Sequence, residues 1–196
     1  LMAGQVSQRN LFDPSVKLDS RFQKVFHALK DHKADTIFSA VADLLKEEGM
    51  ELMDSTILLK QYLAPAGCLT ARKPDEKEMA DIAFGRDIAR QMGAIDVGQT
   101  VVIKDKAIVA IEAMEGTDKT ILRGGQIAQG GAVVVKMSKP NQDFRFDVPV
   151  VGPRTIQTMI KCKASCLAIE SGKTLIIDRE TILRLANRAG IAIYSV

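Results

Sequence analysis

The chain has 196 residues, 46% of them hydrophobic and 26% charged, with a net charge of +3; this is the balance of a folded globular protein rather than a disordered one. No apolar run approaches the ~18 residues of a membrane-spanning helix, and three cysteines cannot pair evenly, which fits a reducing, cytosolic compartment. Two histidines leave little for a His-rich metal site, and with no Trp and nine aromatics (seven Phe, two Tyr) stacking platforms for single-stranded nucleic acid are not expected. The charge is uneven. Residues 1–98 hold 13 Lys+Arg against 15 Asp+Glu, whereas residues 99–196 hold 14 against 9. A basic second half suits an anionic ligand, or is simply a solvated surface, and a surplus of five is too small to require DNA.

Leu1 to Val6 reads as a strand end entering a turn, as though the chain opened inside a domain, and the first twenty residues show no secretory pattern. After a Pro-containing polar stretch, Asp19 or Ser20 caps a helix with Phe22, Val25, Phe26 and Leu29 on one stripe. A second helix starts at Asp35 or Thr36, turns Ile37, Phe38, Val41, Leu44 and Leu45 inward, and stops at Gly49. Met50–Met53 is expected as a short strand, and Thr56–Leu63 as a helical turn or two ended by Pro65 and Gly67. The polar, basic stretch Leu69–Lys73 marks a domain boundary, dividing the chain into 1–72 and 73–196.

Pro74 suits the first position of a third helix, with Asp75, Glu76 and Glu78 near its positive end. Its buried face is expected from Met79, Ile82, Ala83 and Met92, and its end at Gly93. From Asp96 onward β-branched runs take over, with strands at Val101–Ile103, Ala107–Ile111, Ala132–Val135, Cys166–Ile169, Leu175–Ile177 and Ile191–Tyr194. Helices are expected near 154–164 and 179–189, the last capped by Asp178 and ended by Gly190. The fold class is α/β, a sheet covered by helices.

The chemical signal lies between the strands. The run 107–111 leads into Glu112-Ala-Met-Glu115-Gly116-Thr117-Asp118, where Thr117 or Asp118 can cap a helix and Gly116 frees the backbone. Free N–H groups at a helix start suit phosphate, and carboxylates beside a phosphate call for a cation such as Mg²⁺ between them; the plainer reading is capping among surface acids. Further on, if 143–148 is extended, Asp143, Arg145 and Asp147 share one face and Phe144, Phe146 and Val148 the other. Lys136 and Lys139 add charge upstream, and Gly152-Pro153-Arg154-Thr155 opens the next helix. Acids to hold metal or position water, with Lys and Arg to neutralise phosphate, are the parts of phosphoryl-type transfer; a salt-bridged surface strand is the alternative. Cys162 and Cys166 have i, i+4 spacing without a third ligand nearby, so a structural role is expected for them. The glycine pairs 124–125 and 130–131 match neither a P-loop nor a GxGxxG turn.

Six segments in order carry a resemblance: Leu63-Ala-Pro-Ala-Gly67, Asp96-Val-Gly-Gln99, Glu112 to Asp118, Lys139-Pro-Asn-Gln-Asp143, Arg145-Phe-Asp-Val-Pro149 and Gly152-Pro-Arg-Thr155. Together with Ile169-Glu170 and Leu175 to Glu180 they resemble the LpxI family, UDP-2,3-diacylglucosamine pyrophosphatases of lipid A synthesis. The resemblance implies two domains: the helical remainder of a Rossmann-like N-terminal domain, whose Gly-rich first turn is not in this sequence, and a C-terminal domain with a mixed sheet. It implies ligand held at the C-terminal domain and the interdomain cleft, and Mg²⁺-dependent cleavage to UMP and 2,3-diacylglucosamine 1-phosphate. It implies transient contact with the inner-membrane surface from the cytoplasm. By the same resemblance Asp143 and Asp147 are catalytic, Glu112, Glu115, Asp118 and Asp143 face the metal, and Lys136, Lys139, Arg145, Gly116, Thr117 and Thr155 bind substrate. A non-catalytic module for a sugar nucleotide or lipid phosphate, and an acid–base enzyme acting on carbon, use the same residues.

Overall fold

The computed structural model describes residues 19–196, so the strand end read at Leu1–Val6 lies outside the described residues. The chain divides into two compact units. One runs up to Leu58 and takes in Asp143–Asp147; the other comprises Leu59–Gln142 and Val148–Val196.

In the first unit, helix α1 (Ser20–Ala28) starts where the Asp19 carboxylate accepts the N–H groups of Arg21 and Phe22. Helix α2 (Ala34–Glu47) buries Ile37 and Ala42, and Gly49 follows its end at φ +76°. The strand expected at Met50–Met53 is not formed: the segment is irregular, and Met50 and Met53 are exposed. Instead, Asp54 Oδ1 accepts both the N–H and the hydroxyl of Thr56 at 2.7 Å, a local turn in place of a ladder. Residues 143–147 belong here through Ser55, whose N–H donates to the Phe144 carbonyl and whose hydroxyl donates to that of Arg145. Phe146 also stacks on Phe38 at 5.3 Å.

The second unit contains a 3₁₀ turn (Lys60–Tyr62), then β1 (Gly67–Cys68), α3 (Glu76–Ala94), β2 (Thr100–Lys104), β3 (Ala107–Ile111), α4 (Thr117–Ala128) and β4 (Val133–Lys136). It continues with β5 (Val150–Val151), α5 (Pro153–Lys161), β6 (Cys166–Ile169), β7 (Leu175–Ile176), α6 (Arg179–Ala189) and β8 (Ala192–Ser195). Six strands form one mixed sheet in the order β1-β8-β6-β4-β2-β3, and β5 pairs with β7 apart. β4, β6 and β8 run parallel, while β1, β2 and β3 run antiparallel to their neighbours. Alternate side chains of the central strands go to opposite faces. Val101, Ile103, Val133, Val135, Cys166 and Ala168 pack toward α3. Val102, Val134, Leu167 and Ile169 join Ile121, Ile156, Met159 and Ile182 of α4, α5 and α6. Both faces are covered, which is why these strands read as unbroken apolar runs.

Helix α3 departs from the expectation. Asp75, not Pro74, begins it, forming a reciprocal capping box with Glu78. The helix runs one residue past Gly93, and Met79 and Ala83 face solvent. Ile82 is buried as expected, but the rest of the inner face is Glu78, Asp81, Gly85, Ala89 and Gly93. A Cβ on Gly85 would lie 2.7 Å from Val135 Cγ2, so close packing on small residues replaces an apolar stripe. Asp81 is used for the tight β2–β3 turn, where its carboxylate accepts the N–H groups of Asp105 and Lys106, both at positive φ. Cys162 ends α5 and Cys166 begins β6; both thiols are free and buried, and burial pushes both toward higher pKa. That is the chemistry of packing cysteines.

Candidate functional site

The parallel strands β4, β6 and β8 all end at one edge of the sheet, and β3 leaves the same edge because β2 enters there, Thr100 opposite Lys136. In an open α/β sheet, ligands bind outside the carboxyl ends of the strands. Here that edge collects charge.

Lys136 ends the all-buried strand β4 and is itself only 7% exposed. Its Nζ donates to Thr117 Oγ1 at 3.1 Å, and the Thr117 hydroxyl donates to Glu112 Oε1 at 2.8 Å. Glu112 Oε2 is buried with no hydrogen-bond partner. The sheet thus joins three expected site residues in one chain of contacts. Gly116, at φ +82°, takes the cap position of α4 and offers no side-chain acceptor, while Thr117 turns to Glu112 instead of capping. The first turn of α4 is therefore left for an anion, beside a buried ammonium.

Lys139 is the second buried lysine, and its Nζ pairs with Asp96 Oδ1 at 2.5 Å. Asp96 holds φ at +57°, unusual for a residue with a side chain, and its Oδ2 is buried without a partner. The turn around Asp96 is pressed into the site from both ends. A Cβ on Gly98 would meet the Glu112 carbonyl oxygen at 2.2 Å, and one on Gly93 would lie 3.2 Å from Lys139 Cα. Thr155 is buried in the first turn of α5, its N–H bonded to the Gly152 carbonyl.

Other expected acids are differently occupied. Glu115 binds Arg123 at 2.7 Å and accepts the Ala113 N–H. Burial alone would raise its pKa, but these bonds hold it below the usual range. Asp118 pairs with Arg154 Nε at 2.7 Å. Among the described residues no three His, Cys, Asp or Glu side chains gather as a metal cage. Mg²⁺ asks for less, since one or two carboxylates suffice when substrate phosphates and water complete the shell. Glu112, with a buried oxygen to spare, fits that requirement; Glu115, Asp118 and Asp143 are each engaged by an arginine.

Asp143, Arg145 and Asp147 lie in the first unit. The extended 143–148 segment with an Asp-Arg-Asp face is not formed; 144–146 make a turn. Asp143 Oδ1 accepts the Arg145 N–H at 3.0 Å, the guanidinium grips the same carboxylate at 2.7–3.1 Å, and the Asp147 N–H donates to the Asp143 carbonyl. Local side-chain bonding to the backbone outcompetes a strand that has no ladder to join. The Arg145 bonds hold Asp143 below the ordinary carboxylate range and raise Arg145 in turn.

Sequence reasoning gave no role to Asp96, Ser138 or Glu170. Glu170, 7% exposed, follows β6 as Lys136 ends β4, and its Oε2 accepts both the N–H and the hydroxyl of Ser138. An acid ending a fully apolar strand run was the available signal.

A mixed α/β sheet whose strand ends present two buried lysines, a threonine hydroxyl and an open helix start has the donors and charge that suit an anionic, phosphate-type ligand. Residues 65–194 match the LpxI C-terminal domain and residues 1–62 the LpxI N-terminal domain. The chain belongs to the LpxI family. It is 30% identical over 170 residues to the UDP-2,3-diacylglucosamine pyrophosphatase LpxI of Caulobacter vibrioides, a match covering 83% of this chain and 61% of that protein. The chain thus spans about three fifths of the length of that curated relative. Among the described residues no helix is long and apolar enough to cross a membrane.

Proposed function

We propose that this protein hydrolyses the pyrophosphate of UDP-2,3-diacylglucosamine, releasing UMP and 2,3-diacylglucosamine 1-phosphate. Family membership and the activity named for the C. vibrioides relative support the substrate. The observation that carries the chemistry is the Lys136–Thr117–Glu112 chain at the open start of α4. A buried ammonium attracts a diphosphate more strongly than an exposed one, because little water screens it. Lys136 and Lys139 therefore neutralise the diphosphate, and the Thr117 hydroxyl with the α4 N–H groups orients one phosphoryl oxygen.

In the hydrolysis, water oxygen bonds to phosphorus, the bridging P–O bond breaks, and its electron pair leaves with the departing phosphate. By the family resemblance Asp143 and Asp147 hold the metal or position that water, whose proton goes to solvent. Glu112 would hold Mg²⁺, which when bound supplies Lewis acidity to the phosphoryl oxygens. With a diacylated substrate the protein works at the inner-membrane surface, from the cytoplasmic side.

The test is phosphorus-31 spectroscopy of the purified protein with UDP-2,3-diacylglucosamine, with EDTA and again after added Mg²⁺. The diphosphate resonances should give way to two monophosphates, stop in EDTA and resume with Mg²⁺. A substrate that binds but keeps its diphosphate would overturn hydrolysis in favour of a binding module. Equal rates in EDTA would overturn the metal requirement alone.

A further inference from the structure

We infer that Glu170 is a positioning residue for this site, acting through Ser138 to fix the strand extension that carries Lys136 and Lys139. The inference rests on the phosphate-handling role proposed for those two lysines.

Beyond Lys136 the chain of β4 leaves the ladder. The Met137 N–H still reaches the Gln99 carbonyl at 3.0 Å, but the next N–H has no strand to pair with. Ser138 is 3% exposed, and a buried N–H needs an acceptor. Glu170 provides it, at 2.9 Å, and the same oxygen takes the Ser138 hydroxyl. The lysines on either side reach different elements, Lys136 the Thr117 hydroxyl at the start of α4 and Lys139 the Asp96 carboxylate in the turn after α3. One carboxylate therefore sets the spacing between two ammonium groups.

Glu170 is itself clamped from behind. Its Oε1 accepts from Lys173 Nζ at 3.0 Å and faces Arg90 Nη2 at 3.6 Å. Burial alone would raise its pKa, yet the bonds from Ser138 and Lys173 keep it below the ordinary range, hence charged. A buried charge is costly as a plain structural tie; holding cationic side chains in register is a reason to keep it.

The test compares Glu170→Ala, Glu170→Gln and Ser138→Ala in the purified protein by kcat, KM, thermal midpoint and amide exchange at residues 137–139. Attraction between the lysines and a ground-state diphosphate falls gently with distance, whereas transition-state stabilisation needs placement. Glu170→Ala should thus lower kcat about tenfold or more, roughly 1.4 kcal/mol, with KM changed less than about threefold and Ser138 amide exchange accelerated. Glu170→Gln keeps an acceptor for Ser138 and should recover most of the rate; Ser138→Ala, which keeps the N–H bond, should lose less than Glu170→Ala. A merely structural role would lower the thermal midpoint and leave kcat per folded molecule unchanged. Wild-type kcat in Glu170→Ala, or no recovery in Glu170→Gln, would overturn the inference. If Glu170→Ala does not fold, the comparison of Glu170→Gln with Ser138→Ala decides it. A wild-type protein that releases no UMP would instead refute the proposed hydrolysis, and unchanged exchange at Ser138 in the variants would still refute the hold by Glu170.

Discussion

Replacing Lys136 with Met separates what the buried ammonium does for chemistry from what its stem does for packing. Lys136 is 7% exposed, and its Nζ lies 3.1 Å from Thr117 Oγ1 at the start of α4. A unit charge ~4 Å from a phosphate oxygen, at an effective dielectric of ~20, is worth about 4 kcal/mol. Part of that is offset by the cost of desolvating the ammonium, and charged hydrogen bonds have a net worth of about 1.5–3 kcal/mol. The expected loss in kcat/KM is therefore about a hundredfold, near 2.7 kcal/mol. Met fills the space of the lysine stem, and the Thr117 hydroxyl keeps its bond to Glu112. The thermal midpoint should stay within about 4 °C of wild type, the scale of 1 kcal/mol in a chain of this size. Initial rates of UMP release across substrate concentration, with a melting curve on the same sample, make the measurement. A fall of less than about threefold in a folded variant would refute the placement of the diphosphate at Lys136.

Arg72→Met breaks the pair in which Arg72 holds Glu78 at 2.7 and 2.8 Å, and should cost about 2 kcal/mol at pH 7, the low side for a buried pair because Arg72 is one-third exposed. Burial pushes Glu78 up, but Arg72 holds it below its ordinary pKa, so the pair stabilises above the carboxylate range and is lost as pH falls through the lowered value. In the variant Glu78 protonates instead, so urea unfolding should show the deficit shrinking from pH 7 to pH 4; a constant deficit would contradict the pairing. Gly125→Ala would place a Cβ 2.3 Å from Cys162 Cβ and should destabilise by about 2–3 kcal/mol in denaturant unfolding, unless α4 and α5 part without cost. Asp143→Ala should lower UMP release at least about tenfold while leaving the thermal midpoint nearly unchanged, since its partner Arg145 is solvent-facing. Less than tenfold would remove Asp143 from the catalytic set.

The fold was largely legible because both sheet faces are covered. Val101–Ile103, Val133–Val135 and Cys166–Ile169 are apolar throughout, and such runs between turn residues read as central strands. The caps were legible too where a side chain does the work, as with Asp19 and Asp178. Where packing relied on absence of side chain, pattern misled: α3 approaches the sheet through Gly85, Ala89 and Gly93, and Met79, expected on its buried face, meets water. The Asp-Phe-Arg-Phe-Asp alternation likewise has the period of a strand, but period alone does not supply a neighbour to pair with. Asp143 satisfies the backbone locally and the segment turns.

The site was half legible for a related reason. The acids drew attention because carboxylates suggest metals, yet Glu115, Asp118 and Asp143 are each taken up by an arginine. The sharper signal was charge at the end of an otherwise buried strand: Val-Val-Val-Lys136 and Cys-Leu-Ala-Ile-Glu170. Lysine and glutamate are almost never buried unless paired, so each of these residues requires a partner that strand periodicity does not reveal. For Lys136 that partner is Thr117, leading to a carboxylate with one oxygen still unpartnered; for Glu170 it is a serine and two cations. A closed set of bonds, as at Glu170, is suited to holding geometry. A set left open beside a helix start, as at Lys136, is suited to receiving a ligand, and that difference supports the positioning role proposed for the first and the phosphate binding proposed for the second.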